Sequence, residues 1–210
     1  MAGETLDWAS LTEKGLDGDR RWALVDGTVN RAGKLLTNTQ DARLMTYKAR
    51  LGADGVEVAT PAGESRRLDE QFVAELGGAV SRPLTLRDRA GTNFDDSQVL
   101  VVNLATVAAF ELESGFAIDR RRFRANLYLD RLEAEEEVRW LGRQVRVGSA
   151  VLEVIKRCER CVVITRDPDT TTTSPELLRI LTQTSETCMG VYCAVVVPGR
   201  VAVGDLCGPV

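Results

Sequence analysis

The amino-acid sequence predicts a mainly β protein with peripheral helices. Short runs rich in valine, leucine and threonine recur along the 210 residues, and glycine-containing turns separate them, as in antiparallel sheets. Apolar residues occur at helical spacing in only about three places. The content of 44% hydrophobic and 28% charged residues is ordinary for a chain that buries a core.

Antiparallel strands are predicted for the first third of the chain. Turn sequences such as Asp26-Gly27 and Asp54-Gly55 separate the strand-like runs, and such dipeptides favour hairpins. The predicted strands cover residues 22–25, 35–37, 44–47 and 56–59.

A helix and a domain boundary are predicted next. Leu68, Phe72, Val73 and Leu76 have the spacing of one helix face, and Gly77-Gly78 is expected to end that helix. After a strand at 84–86, the polar segment 87–96 predicts a boundary near residue 90. We therefore expect two domains, 1–90 and 91–210.

The second half should begin with a buried strand at 99–102, because four apolar residues follow one another there. Asn103 and Thr106 are suited to cap a following helix, which Gly115 should end. The basic run 120–124 is expected to enter a strand that reaches residue 129.

The last third of the chain is again predicted to be mostly β. Ser174 and Pro175 have the character of a helix start. The predicted strands cover residues 144–147, 151–154 and 162–165, and a terminal hairpin should join 192–197 to 200–203 around Pro198-Gly199.

Composition excludes several classes of function. A net charge of −4 disfavours general nucleic-acid binding, which needs an excess of cations. No apolar run reaches the roughly 20 residues of a membrane helix, and the N-terminus lacks the features of a signal peptide, so we expect a cytoplasmic protein without a membrane partner. The absence of histidine excludes Ser-His-Asp and Cys-His catalysis and a His-ligated zinc site.

The segment Cys158-Glu159-Arg160-Cys161 is the most reactive part of the sequence, because neighbouring cations favour thiolates. Three alternatives compete with chemistry at Cys161. The cysteines could form half of a zinc site completed by Cys188 and Cys193, a redox pair, or two buried apolar residues. The residues alone leave these alternatives open, with Cys161 favoured as a metal or nucleophile position.

The basic run offers a second candidate site. On the predicted strand, Arg122, Arg124 and Asn126 are two residues apart and therefore face one way. Arginine offers a bidentate fork and asparagine both donates and accepts, so together they suit an anionic, amide-rich ligand. A solvated strand edge is the alternative interpretation.

The sequence resembles the MOSC family, which occurs at the C-terminus of molybdenum-cofactor sulfurases and in the mitochondrial amidoxime-reducing component and its bacterial relatives. Six ordered motifs after a matching N-terminal segment carry the resemblance. The N-terminal segment is Gly15-Leu16-Asp17-Gly18-Asp19-Arg20-Arg21, and the six motifs are Phe94-Asp95-Asp96-Ser97, Arg121-Arg122-Phe123-Arg124-Ala125-Asn126, Cys158-Glu159-Arg160-Cys161, Asp167-Pro168-Asp169-Thr170, Gly190-Val191-Tyr192 and Val203-Gly204-Asp205.

The resemblance implies a MOSC-type β-barrel preceded by a small N-terminal β domain, and a pterin-based molybdenum cofactor. It implies that Cys161 is the catalytic residue and the protein's ligand to molybdenum, which suits a soft thiolate donor. The residues that it implies for cofactor binding are Arg20, Asn103, Thr106, Arg124, Asn126, Arg160 and Tyr192.

Three features depart from the family pattern. The chain begins after the strand that carries Pro-x-Lys-Ser in members that bind the cofactor, so the N-terminal domain is expected to lack its first strand. Thr39 replaces the arginine of Thr-x-Arg-x-x-Pro, and Ala125 replaces the proline of Arg-Pro-Asn. The first two departures remove cations from the expected phosphate site.

The resemblance implies an oxidoreductase that reduces N-hydroxylated or N-oxide small molecules, with electrons from a separate redox protein. The alternatives are a sulfur-carrier or cofactor-carrier protein that uses a Cys161 persulfide, and a MOSC relative that has lost the cofactor.

Overall fold

The computed structural model describes residues 1–94 and 96–210. Asp95, part of the Phe94–Ser97 motif, lies outside the described residues. Strands account for 36% of the chain and helices for 26%. The predicted fold class, mainly β with peripheral helices, is confirmed.

Fifteen strands are present in the described residues, and most are short. In chain order they are β1 (Trp8–Thr12), β2 (Gly15–Leu16), β3 (Trp22–Asp26), β4 (Lys34–Leu36), β5 (Lys48–Gly52), β6 (Gly55–Ala59), β7 (Ser65–Arg67), β8 (Leu84–Asp88), β9 (Val99–Asn103), β10 (Leu127–Leu129), β11 (Gln144–Val147), β12 (Ala150–Glu159), β13 (Cys188–Val197), β14 (Gly199–Ala202) and β15 (Cys207–Pro209).

Three α-helices accompany the strands within the described part of the chain: α1 (Glu70–Val80), α2 (Leu104–Ser114) and α3 (Pro175–Ser185). None of them has the length and apolar character needed to cross a lipid bilayer. Short 3₁₀ helices occupy Val29–Arg31, Ala42–Thr46, Arg120–Phe123, Glu136–Trp140 and Val162–Thr165.

The chain forms two compact units whose segments interleave along the sequence. The first unit contains Met1–Thr5, Gly18–Asn93 and Pro168–Thr171. The second contains Leu6–Asp17, Phe94–Asp167 and Thr172–Val210. The division into domains 1–90 and 91–210 stays a prediction.

The first unit contains two three-stranded antiparallel sheets, ordered β4-β3-β8 and β5-β6-β7, together with helix α1. Its core joins one apolar face of α1 to side chains from both sheets. The core residues with the least exposure include Leu44, Val58 and Val73.

Two local predictions for the first unit are wrong. Residues 44–47 are not a strand, because Asp41 accepts a hydrogen bond from the Arg43 amide and starts the 3₁₀ helix Ala42–Thr46. Helix α1 continues through Gly77 and Gly78 to Val80. Gly77 is needed for packing, since a Cβ there would lie 2.7 Å from the Arg82 carbonyl oxygen.

The second unit is organised around a six-stranded sheet ordered β10-β9-β13-β12-β11-β15, which curls into a half-barrel. This is the form that the predicted MOSC-type β-barrel takes. One face packs Val101, Val154 and Val191 into an inner apolar cluster. The other face packs Leu100 and Val102 against α2, α3 and the segments between them. A smaller sheet, β14-β1-β2, completes the unit.

The predicted start and end of helix α2 are confirmed. The Asn103 side chain accepts from the Ala105 amide at 3.0 Å, and Gly115 ends the helix with a φ of 72°. Helix α3 begins at Pro175 as predicted, although Ser174 makes no side-chain capping bond there.

The predicted strand at 162–165 is wrong, and this correction concerns the candidate site directly. The Arg160 amide, just after β12, still donates a hydrogen bond to the Thr187 carbonyl. Beyond Arg160 the chain turns away from the sheet. The Ile164 amide donates to the Cys161 carbonyl at 3.2 Å, which forms a 3₁₀ helix despite the β-branched sequence. Local β propensity is overridden because Arg122 and the Cys161 carbonyl take backbone groups that a strand would use.

The basic run is also not a strand. Arg120–Phe123 is a 3₁₀ helix, Arg124 has a left-handed φ of 54°, and β10 begins only at Leu127. The inference that Arg122, Arg124 and Asn126 face one way on a strand is therefore wrong. The Asp119 side chain caps the helix by accepting from the Arg121 amide.

The predicted terminal hairpin is only partly correct. Strands β13 and β14 exist, but β14 pairs with β1, with Trp8 opposite Ala202. The Ser149 amide donates to the Arg200 carbonyl, and the Ser149 hydroxyl accepts from the Arg200 amide, which supports β14 on its other side. The chain therefore changes sheets at Pro198.

Candidate functional site

The carboxyl ends of β9 and β12 lie at the same end of the six-stranded sheet. Both strands are antiparallel to β13 and therefore run in the same direction. This sheet end brings together Asn103, which is the last residue of β9, and the segment from Cys158 to Cys161, which leaves β12.

The two cysteines of the motif have different environments. Cys158 is buried, with 1% of its surface exposed, among the apolar residues packed under α2 and α3. Cys161 is exposed and precedes the 3₁₀ helix Val162–Thr165. Only Cys161 is therefore accessible to a ligand from solution.

A bulge in β12 determines which face of the sheet Cys158 occupies. Val154 pairs with Cys193 and Lys156 pairs with Tyr192, so Ile155 is an extra residue that reverses the alternation of faces. Val154 consequently faces the inner cluster, whereas Lys156 and Cys158 share a face with Tyr192. Without the bulge, Cys158 would point to the opposite face.

Arg160 points back towards Cys158. Its Nη1 lies 2.9 Å from the Cys158 sulfur, its Nη2 donates to the Phe123 carbonyl, and its guanidinium lies 5.5 Å from the centre of the Phe123 ring. Among the described residues, the buried Arg160 Nε has no hydrogen-bond partner.

Arg122 fixes the other side of the cysteine turn. Only 8% of its surface is exposed, and its Nη1 donates to the Ile164 carbonyl at 3.3 Å. Its Nη2 contacts the Asp167 carboxylate at 3.4 Å. The 3₁₀ helix Arg120–Phe123 is thus linked to the residues after Cys161, a contact that the strand prediction did not anticipate.

Arg124 and Asn126 follow the same 3₁₀ helix. Arg124 is half-buried and its left-handed conformation turns the chain towards β10. Asn126 is bonded to Leu100, since its amide donates to the Leu100 carbonyl and its Oδ1 accepts from the Leu100 amide, each at 2.9 Å. Asn126 therefore holds the segment before β10 against β9.

Asn103 and Thr106 contact a buried acid at the N-terminus of α2. The Asn103 Nδ2 donates to the Glu133 carbonyl at 2.6 Å, and the Thr106 hydroxyl donates to the Glu137 carboxylate at 3.2 Å. Glu137 has 0% of its surface exposed, and burial raises its pKa despite bonds from its own amide, Asn103 and Thr106. This carboxylate lies where the helix start would favour an anion.

Sequence reasoning missed Glu137. It belongs to an acidic run, Glu133–Glu137, that suggests a solvated surface. A signal was nevertheless present, because Glu137 precedes Trp140 by three residues and these positions coincide on a 3₁₀ helix. Trp140 is buried in the inner cluster, so Glu137 is directed inwards with it.

Tyr192 lies beside Cys158 on the sheet. Burial, followed by a hydrogen bond with the Cys158 side chain, raises the pKa of the Tyr192 hydroxyl. The Lys156 ammonium lies 6.0 Å from the centre of the Tyr192 ring and 2.6 Å from the Asp96 carboxylate. The sheet therefore brings Tyr192 and Arg160 to the same sulfur.

Arg20 belongs to the first unit, where it has a φ of 50° and lies 3.9 Å from Asp19. The Asn93 side chain donates to the Arg20 carbonyl at 2.9 Å. The cofactor-binding role implied for Arg20 stays a prediction.

A cleft lies in the first unit. It has a volume of about 330 Å³, and Tyr47, Phe72 and the Arg66–Glu75 ion pair line it. The predicted site residues are not among the described residues that line this cleft. We therefore place the candidate chemistry at the Cys161 turn, where the exposed thiol is.

The donor set at this turn suits a metal carried by a cofactor. Across residues 1–94 and 96–210, no three Cys, Asp or Glu side chains cluster in a way that could hold a bare ion. Cys161 offers one accessible sulfur, a soft ligand for molybdenum, and the other ligands would come from the cofactor. The residues present therefore fit a cofactor-borne metal better than a four-ligand zinc site.

The fold and site define a class: a β-rich protein with an accessible cysteine at the end of a curled sheet. The MOSC domain profile matches residues 86–207, which is more than half of the chain. The chain belongs to the MOSC domain family. The matched region contains every candidate site residue except Arg20.

Curated relatives include molybdenum cofactor sulfurases of fruit flies. The Drosophila mojavensis protein is 29% identical over 140 residues, which cover 66% of this chain and 18% of that protein. The Drosophila pseudoobscura pseudoobscura protein is 30% identical over 100 residues, or 47% of this chain and 12% of that protein. The chain thus spans less than a fifth of the length of these relatives.

One solved structure shows the same fold. The YuaD protein from Bacillus subtilis has a TM-score of 0.52 at 16% identity, over 97% of this chain and 85% of that chain. YiiM from Geobacillus stearothermophilus has a TM-score of 0.44 at 22% identity, over 55% of each chain.

Proposed function

We propose that this protein binds a pterin-based molybdenum cofactor through Cys161 and reduces N-hydroxylated or N-oxide small molecules. The MOSC match and the molybdenum cofactor sulfurase relatives support a function related to this cofactor. The reductase activity and the cysteine ligand go further than that support and rest on the chemistry of the site.

The observation that carries the proposal is the separation of the two motif cysteines. Cys158 is buried and contacted by Arg160, whereas Cys161 is exposed on a turn fixed on both sides. An accessible thiol on a preorganised backbone is what a metal ligand requires, because little conformational entropy remains to be lost on binding.

The remaining residues have defined tasks in this proposal. Arg124 holds the phosphate of the cofactor, since guanidinium groups bind phosphate through two parallel bonds. Asn126 positions the pterin end, Tyr192 lines the pocket, and Asn103 and Thr106 orient the start of α2. The contacts of Asn126 with Leu100 keep that segment in place.

The proposed reaction converts R–NH–OH, two electrons and two protons into R–NH₂ and water. When bound, the cofactor supplies the two-electron redox chemistry. The electrons come from a separate redox protein, because the sequence has no recognisable flavin, haem or iron–sulfur motif. The protein's own contribution is to hold the cofactor and to present the substrate from solution at the exposed turn.

An activity assay tests the reductase. Protein from a host that makes the cofactor is supplied with reduced methyl viologen and an N-hydroxylated amidine, and amidine formation is measured. We expect turnover by the wild type and none by Cys161→Ala, while Cys193→Ala, which changes a buried cysteine on the inner face, retains it. Equal turnover by wild type and Cys161→Ala would refute the assignment of Cys161.

Sulfur transfer is the second candidate function. The accessible Cys161 thiol and the sulfurase relatives favour it. In that case Cys161 carries a persulfide, which mass spectrometry would detect after labelling, and the protein shows no reductase activity. A persulfide absent from Cys161 in freshly purified protein would exclude this alternative.

A further inference from the structure

The side chain of Arg160 connects three parts of the second unit. Its guanidinium contacts the Cys158 sulfur on β12, and both the carbonyl and the ring of Phe123 on the neighbouring 3₁₀ helix. The Arg160 amide donates to the Thr187 carbonyl at 2.8 Å. Both the backbone and the side chain of Arg160 are therefore fixed immediately before Cys161.

The sulfur of Cys158 is more than apolar filling. It accepts from Arg160 at 2.9 Å, and Tyr192 packs against the same apolar cluster as Cys158. Cysteine sulfur is a weak acceptor, but a charged donor in a buried site strengthens the contact. If the acceptor were removed, a half-buried guanidinium N–H would lose its partner.

The turn at Cys161 depends on this arrangement. Before the turn, Arg160 is held inwards by Cys158 and Phe123. After it, the Ile164 amide donates to the Cys161 carbonyl, and Arg122 holds the Ile164 carbonyl. Release of the Arg160 side chain would leave that side of the turn held only by the bond from the Arg160 amide to the Thr187 carbonyl.

We propose that Cys158 is a positioning residue whose sulfur holds the Arg160 guanidinium inwards and thereby fixes the Cys161 turn. The importance of this positioning for catalysis rests on the proposed function. The positioning itself does not, because it can be measured on protein without a cofactor.

Two substitutions separate hydrogen bonding from packing. Cys158→Ser retains an acceptor but loses apolar volume, and Cys158→Val retains apolar volume but loses the acceptor. Hydrogen exchange at the Ile164 amide reports the opening of the turn directly, because the bond from this amide to the Cys161 carbonyl closes the turn. Exchange of the α2 amides in the same experiment reports the general stability of the unit.

We expect Ile164 exchange to be about tenfold faster in Cys158→Val than in the wild type, relative to α2, and within about twofold of the wild type in Cys158→Ser. Arg160→Lys should resemble Cys158→Val, since an ammonium cannot form the same fork to sulfur and carbonyl. A wild-type rate in Cys158→Val, or equal acceleration in the serine and valine variants, would overturn the proposal.

The matched control is the same pair of substitutions at Cys193, which is buried on the opposite face of the sheet. Neither should change Ile164 exchange relative to α2. The molybdenum content of the same variants is measured separately. Absence of molybdenum from the wild type would refute the proposed function. The positioning role would still be judged from the exchange rates alone.

Discussion

Replacement of Gly190 by alanine should destabilise the sheet that carries the candidate site. Gly190 lies in β13 with a φ of 79°, and a Cβ there would lie 2.4 Å from the Val101 carbonyl oxygen and 2.7 Å from Val102 Cγ2. Real Cβ atoms do not approach backbone so closely, so β9 or β13 must move. The strand β9 leads directly to Asn103 and helix α2.

The magnitude follows from two costs. A left-handed conformation costs an alanine roughly 1–2 kcal/mol. Displacement of packed backbone and side chains adds about 1–3 kcal/mol, as for other overpacked cores. We therefore expect Gly190→Ala to lose about 2–5 kcal/mol of unfolding free energy.

Urea unfolding followed by tryptophan fluorescence is the assay, since unfolding exposes the buried Trp140. The control is Gly115→Ala, because Gly115 has a similar φ of 72° but has no atom within 4 Å of an added Cβ among the described residues. It should lose only the conformational cost of roughly 1–2 kcal/mol. Equal losses for the two variants would refute the claim that the close approach of β9 determines the cost.

The buried carboxyl groups of Glu137 and Asp26 should make the unfolding free energy depend on pH in opposite directions. Burial raises the pKa of Glu137, so the folded state retains a proton that the unfolded chain releases. The unfolding free energy of the wild type, relative to that of Glu137→Gln, should therefore fall as pH rises through the ordinary glutamate range. Urea titrations between about pH 4 and 7 would show this, and a constant difference would contradict it. The Thr28 amide, with smaller contributions from the Thr28 hydroxyl and Arg82, lowers the pKa of Asp26 to about 2. The advantage of the wild type over Asp26→Asn should therefore be complete above about pH 4 and disappear towards pH 2, and an advantage that persists at pH 2 would contradict it.

Much of the fold could be predicted because local and global preferences agree. The apolar run of β9 is buried on both faces of the sheet. The Asn103 side chain caps the start of α2, and the positive φ of Gly115 ends this helix. The failures occur where tertiary hydrogen bonds oppose propensity. Residues 162–165 are β-branched but form a 3₁₀ helix, because Arg122 and the Cys161 carbonyl take the backbone groups that a strand would use.

The candidate site was only partly predictable for the same reason. Cysteine chemistry favours Cys161 as a candidate from the sequence. The face that Cys158 occupies depends on the bulge at Ile155, which no local pattern specifies. The role of Asn126 could not be predicted either, since it depends on Leu100, 26 residues earlier. Glu137 was hidden in an acidic run because burial of one carboxylate among five residues depends on Trp140.

The central claim is that Cys161 binds the molybdenum of a cofactor, and the molybdenum-to-protein ratio tests it most directly. Wild type, Cys161→Ala and Cys193→Ala would be purified in parallel from a host that makes the cofactor and analysed by mass spectrometry for the metal. The account predicts bound molybdenum in the wild type and in Cys193→Ala, and only background in Cys161→Ala. Undiminished molybdenum in Cys161→Ala, or none in the wild type, would contradict it.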